Sequence, residues 1–288
     1  MAQQRLHLLI IDPQNDFCDL PADYCPPDPR GGLMAPSLPV TGAHTDMRRL
    51  AELINVAGFG LTDITATLDT HNRIDIAHPT FWKDAAGGEV APFTPIAAAD
   101  VRTGRYVPRD SALIKRVQKY LDALEAAGRY THLVWPVHCE LGTWGHLIHR
   151  DLCGALDGWE DNREISVAKV MKGLNPHTEH YSAVMAEVPD SADPGTQLNR
   201  NLLARLRTAD RVYIGGEAGS HCVKATTEDV VANWPENDLG RLVLIEDAIS
   251  PVAGFESAHA DFLARMRSRG VRVATTKDVR EELLANAL

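Results

Sequence analysis

The 288-residue sequence has no apolar run near the ~18 residues that a membrane-spanning helix needs. Its N-terminal apolar stretch, Leu8–Ile11, is short and runs into Asp12 instead of a small-residue cleavage site, so it does not read as a secretory leader. The expected location is the cytoplasm. Cysteine is scarce: Cys18, Cys25, Cys139, Cys153 and Cys222 make five, an odd number that argues against a disulfide framework and for reduced thiols. Positive charge is in deficit, with 29 Lys and Arg against 39 Asp and Glu and a net charge of −10. That balance speaks against a nucleic-acid or anionic-membrane partner. No Walker pattern occurs, and Gly215, Gly216 and Gly219 do not form GxGxxG, so no phosphate-binding loop is expected.

What is present is an ordinary globular composition, 44% hydrophobic and 24% charged, which excludes a disordered or fibrous chain. No repeat or linker divides the chain, so one domain over 1–288 is expected. Continuous apolar runs at His7–Ile11, Ile64–Leu68, Leu133–Trp135, Ile165–Val170, Val212–Gly215, Leu242–Ile245 and Val271–Ala274 suit strands covered on both faces. Helical spacing appears in Thr45–Ala57, Ser111–Ala127, Thr196–Leu206, Cys222–Asn233 and Phe255–Arg269. Their alternation predicts an α/β fold with a mostly parallel central sheet flanked by helices on both faces. Two stretches rich in Pro and Gly, Cys18–Thr41 and Pro79–Pro108, read as long loop insertions.

In such a sheet the site lies beyond the carboxyl ends of the strands. Asp12, Asp69, His138, Lys172 and the segment Glu217–Cys222 all fall at predicted strand ends, and therefore on one rim. Cys222 follows a small-residue turn and opens a helix, where the helix dipole should favour thiolate and backbone N–H groups could hold an oxyanion. A carboxylate at Asp12 and an ammonium at Lys172 could serve such a thiol as base and charge partner. Asp69 and His71, two residues apart on an extended segment, point to one side. With His138 and His78 as further candidates, they suit a divalent ion. The pairs His146/His149 and His177/His180 read as structural or exposed.

These residues together resemble the isochorismatase-like cysteine hydrolases, and within them the nicotinamidases. The matching segments are Ile10–Phe17, Asp69-Thr70-His71, Trp135–Cys139 with Gly142, Thr143 and Gly145, Lys172-Gly173 with Tyr181–Ala183, and Gly216–Val223. They stand in the family's order. The resemblance implies a three-layer sandwich and a catalytic triad of Asp12, Lys172 and Cys222. It implies Asp69, His71 and His138 as metal ligands, with His78 as a further ligand in some members, and zinc, manganese or iron as the ion. It implies Phe17, Trp135 and Tyr181 as the lining of a nicotinamide pocket. A cis peptide before Ala218 would aim the Ala218 and Cys222 N–H groups as an oxyanion hole. The implied activity is amide hydrolysis of nicotinamide through a cysteine thioester, in NAD salvage, by a homo-oligomer whose partner is a small-molecule amide. Two departures stand out: Glu217 replaces a usually apolar residue, and Ser220 replaces a common Asp. The alternatives are a hydrolase of another amide or a carbamate on the same fold, and a non-catalytic partner-binding member.

Overall fold

The computed structural model describes residues 3–287. Among the described residues there are ten strands: β1 (Leu6–Ile11), β2 (Asp63–Asp69), β3 (Trp82–Asp84), β4 (Pro95–Ile96), β5 (Tyr106–Pro108), β6 (His132–Leu133), β7 (Ala168–Lys172), β8 (Arg211–Gly216), β9 (Leu242–Ile245) and β10 (Arg272–Ala274). The α-helices are α1 (Ala43–Ala57), α2 (Ala98–Arg102), α3 (Ile114–Ala127), α4 (Arg150–Arg163), α5 (Arg200–Arg207), α6 (Cys222–Ala232), α7 (Glu256–Ser268) and α8 (Thr276–Asn286).

Six strands form one parallel sheet in the order β10-β9-β8-β1-β2-β7. Every residue of β1 and β9 is buried, so both faces are covered, as their unbroken apolar runs require. α1 turns its Met47, Leu50 and Ile54 inward and packs against α4 and α8. The chain builds β1, β2 and β7 outward in one direction and then β8, β9 and β10 in the other. The switch point therefore falls between β1 and β8, where open α/β sheets form their clefts. At that point Gly216 has φ +116°, and a Cβ there would meet the Ile11 carbonyl oxygen at 2.1 Å, so no side chain fits.

Three expectations need correction. The run at Leu133–Trp135 is not a strand of the central sheet. Its start belongs to β6, which pairs antiparallel with β4 in a two-stranded ribbon. Pro136 has no N–H to give, which ends any ladder there. β7 starts three residues later than the predicted Ile165 and carries alternating half-buried and exposed residues, as an edge strand does. Finally, Pro79–Pro108 is not a loop. It contains β3, β4, α2 and β5, and it buries Phe81, Trp82, Val90, Ile96 and Val101 with Val117, Leu121 and Leu124 of α3 in a separate apolar cluster. Cys18–Thr41, by contrast, is mostly irregular and largely exposed. Among the described residues no helix is long and apolar enough to cross a membrane.

Candidate active site

Asp12 follows β1, Asp69 and Lys172 end the adjacent strands β2 and β7 in paired register, and Cys222 opens α6 just past β8. The strand pattern thus brings these four together at the switch-point rim. Asp12 is fully buried, with φ +43°, a left-handed conformation that Asp tolerates better than most residues. The Thr67 hydroxyl donates to Asp12 Oδ1 at 2.6 Å. The buried Lys172 Nζ lies 2.9 Å from Asp12 Oδ2 and 2.9 Å from Asp69 Oδ1, donates to the His180 carbonyl at 3.0 Å, and lies 3.6 Å from Cys222 Sγ.

The electrostatics differ from expectation in one respect. Helix dipole notwithstanding, burial pushes the Cys222 thiol well above its ordinary range; Lys172 pulls it down, while Asp12 and Asp69 add to the rise. Burial and the two neighbouring acids thus favour the protonated thiol over the thiolate in the resting site. Burial also raises Asp12, against the pull of Lys172. For Lys172 burial disfavours the ammonium, but Asp12 and Asp69 outweigh it and the group stays charged.

Three imidazoles, His71, His78 and His138, are buried with ligand atoms all within 4.8 Å of one another. Asp69 Oδ2 is 3.1 Å from His71 Nε2 and 3.2 Å from His138 Nε2. His71 Nδ1 faces Asp75 Oδ2 at 3.2 Å, and His138 Nδ1 donates to the Pro136 carbonyl at 2.8 Å. Such outer partners fix ring orientation in metal sites. Burial, helped by His138 and His71, pushes His78 down to about 2, so it is a neutral ring with a lone pair to offer. Burial alone would lower His71, but Asp69 and Asp75 hold it well above its ordinary range, so an ion bound there would have to displace a proton. Three imidazoles and one carboxylate fit a divalent ion of the zinc, manganese or iron type. The structure thus brings His78 into the same group as the other ligand candidates.

The remaining predicted residues surround these groups. Phe17 lies against His138 with centroids 5.5 Å apart, and Trp135 Nε1 donates to Tyr181 Oη at 2.9 Å. All three aromatic residues are buried. The Glu217–Ala218 peptide is cis. Cys222, as first residue of α6, has an N–H without an intrahelical acceptor. Sequence reading missed His221, whose ring lies 5.0 Å from Trp135 and 5.4 Å from Tyr181, although its adjacency to Cys222 was a usable signal. It also missed Gln14, whose amide donates to the Asp69 carbonyl and accepts from the Asp69 N–H, bridging β1 to β2 at the rim. Of the paired histidines, His146 bonds the Thr70 hydroxyl and His180 accepts from the Gly173 N–H.

No protein-family model and no curated protein matches the chain. Solved structures do. A nicotinamidase/pyrazinamidase of Acinetobacter baumanii aligns at TM-score 0.61 and 22% identity, over 97% of this chain and 100% of that one. The yeast nicotinamidase bound to the inhibitor nicotinaldehyde aligns at 0.61 and 20% identity, over 94% and 99%. The pyrazinamidase of Pyrococcus horikoshii in complex with zinc aligns at 0.52 and 21% identity, over 94% and 99%. With a parallel six-stranded sheet, helices against it and a polar rim at the switch point, this chain has the isochorismatase-like α/β fold that nicotinamidases share.

Proposed function

We propose that the chain is a metal-assisted cysteine amidohydrolase that converts nicotinamide and water to nicotinate and ammonia. The observation that carries this reading is the Lys172 ammonium, within 2.9 Å of Asp12 and Asp69 and 3.6 Å of Cys222, joining base, metal carboxylate and nucleophile in one buried group. Asp12 accepts the Cys222 proton as sulfur attacks the amide carbon. The oxyanion lies on the Ala218 and Cys222 N–H groups. Collapse releases ammonia, which takes its proton from Asp12. Asp12 then takes a proton from water as the oxygen adds to the thioester carbon, and returns it to the departing sulfur. Lys172 stays protonated and balances the charge on Asp12 throughout. Asp69, His71, His78 and His138 would hold the ion, which supplies Lewis acidity toward a pyridine nitrogen or a bound water. Phe17, Trp135 and Tyr181 would flank the ring.

Ammonia release from nicotinamide by zinc-loaded protein tests the proposal. Cys222→Ala should lower kcat by about 10³-fold or more. Turnover retained in that variant would overturn the cysteine mechanism, and no turnover by folded wild type would overturn the substrate.

One observation favours a second reading, a bulkier amide or a carbamate. Phe93, from the folded insertion, is 53% exposed and reaches within 5.9 Å of Trp135. That places an insertion side chain beside the proposed ring pocket. Higher kcat/KM for a larger heteroaromatic amide than for nicotinamide, falling selectively in Phe93→Ala, would establish this reading.

A further inference from the structure

Glu217 is an acid at a position where the resemblance leads one to expect an apolar residue, and the mechanism above leaves it without a task. It is fully buried, as is most of Asp46 on α1 (3% exposed). Ser250 stands between them: its N–H donates to Glu217 Oε2 at 3.3 Å and its hydroxyl donates to Asp46 Oδ2 at 2.5 Å. Glu217 Oε1 has no hydrogen-bond partner among the described residues. Two buried carboxyl groups held on one residue, with no cation between them, are stable together when one of them keeps its proton.

The surroundings supply no better neutraliser. From α1, Arg49 reaches Asp46 Oδ1 at 3.2 Å and the Asp247 carbonyl at 2.8 Å, with its side chain 45% exposed. From the segment after the first turn, Cys18 and Asp19 also face the pair; burial and Glu217 push the Cys18 thiol up, so it stays neutral, and Asp19 adds negative charge. Burial first, and Asp46 second, hold Glu217 well above the ordinary carboxyl range.

We infer that Glu217 and Asp46 share one proton, and that this carboxyl pair positions the turn carrying Ala218 and Cys222 against α1. Glu217 is therefore a positioning residue for the hydrolysis proposed above, and this role rests on that reading. Glu217 supplies the carbonyl half of the peptide whose N–H belongs to Ala218. The same turn is fastened again by Gly219, which donates to the Ser250 carbonyl at 2.8 Å, and by the Ser220 hydroxyl, which accepts from Val252 at 3.1 Å. With both carboxyls ionised, two adjacent negative charges would force the turn away from α1 and shift the Ala218 N–H.

The test has a substrate-free arm and a kinetic arm. Wild type folds with a proton that the unfolded chain gives up above about pH 4.3. The linked stability is full below that pH and is lost as pH rises toward the folded pair's pKa. Glu217→Gln keeps a neutral donor without that proton. The unfolding constant of wild type relative to Glu217→Gln should therefore rise about tenfold per pH unit across roughly pH 5 to 7. Parallel stability curves would overturn the shared proton. Asp46→Asn reads the same pair from the α1 side and should give the same trend if Glu217→Gln does not fold. In the kinetic arm, Glu217→Ala should lower kcat about tenfold or more with little change in KM, because an oxyanion donor acts in the transition state. Glu217→Gln should recover most of that loss. An unimpaired Ala variant, or a Gln variant no better than Ala, would overturn the positioning role. Absence of turnover in wild type would instead count against the proposed function and leave the stability arm standing.

Discussion

The turn after β8 lies between two buried carboxyl pairs that meet the same electrostatic demand in opposite ways. Asp12 and Asp69 are bridged by the Lys172 ammonium at 2.9 Å on each side. Glu217 and Asp46 have no cation between them; Ser250 and a proton take that place. The difference follows from where an ammonium can be delivered. β7 pairs with β2 so that Lys172 sits opposite Asp69, whereas α1 offers the second pair a partly exposed Arg49 on the outer side. The ammonium-bridged pair sits beside a fixed positive charge and is usable for proton transfer. The proton-bridged pair is neutralised in part and serves to hold backbone.

The sharpest way to break this contrast is to remove the ammonium. Lys172→Met leaves two carboxylates buried and uncompensated. Chemical denaturation should show a loss of about 3–5 kcal/mol, and kcat should become unmeasurable. A mild effect would mean that Asp12 and Asp69 do not depend on Lys172. Next in size is the outer support of the metal group. Asp75→Asn removes the carboxylate 3.2 Å from His71 Nδ1 and should weaken zinc binding about 10–100-fold in competition with a chromophoric chelator. Unchanged affinity would place the ion elsewhere.

A smaller effect concerns the base itself. Asp12 must be ionised to take the thiol proton, and burial raises its pKa, so kcat/KM should fall as pH drops through a value above the ordinary Asp range. The Thr67 hydroxyl holds that value down, so Thr67→Val should move the acid limb up by about one pH unit. A limb that stays in place would remove Asp12 from the role of base. The smallest effect belongs to the second pair. Ser250→Ala deletes the hydroxyl on Asp46 and should cost about 1 kcal/mol in thermal or urea unfolding, with turnover retained better than in Lys172→Met.

Particular elements show what could be read in advance. β1, β2, β8 and β9 are legible because strands covered on both faces are mostly apolar along their length. Their polar ends then marked Asp12, Asp69 and the Cys222 turn. β7 was read three residues early because an edge strand need not be continuously apolar. α4 was missed because Gly154 and Gly158 weaken its helical signal. α8 was missed although Thr275 and Asp278 form a capping box at its start. The insertion was misread as loop because its apolar residues are spaced irregularly along the chain and meet only when α3 packs over them.

The sequence by itself determined the parallel α/β class and which acid, ammonium and thiol stand beyond the ends of its sheet strands, since these follow from hydrophobic runs and from the residues that end them; that His138 joins them was decided by the fold, because its run lies outside the central sheet. Tertiary structure alone decided their charge states. Whether Cys222 carries its proton, whether Asp12 is ionised, and whether Glu217 keeps a proton depend on burial and on which charge stands within about 4 Å, because Coulomb energies between buried groups depend on separation and solvent exclusion. Neither quantity is written along the chain; both appear only when β1, β2, β7, α1 and the Cys222 turn close on one another.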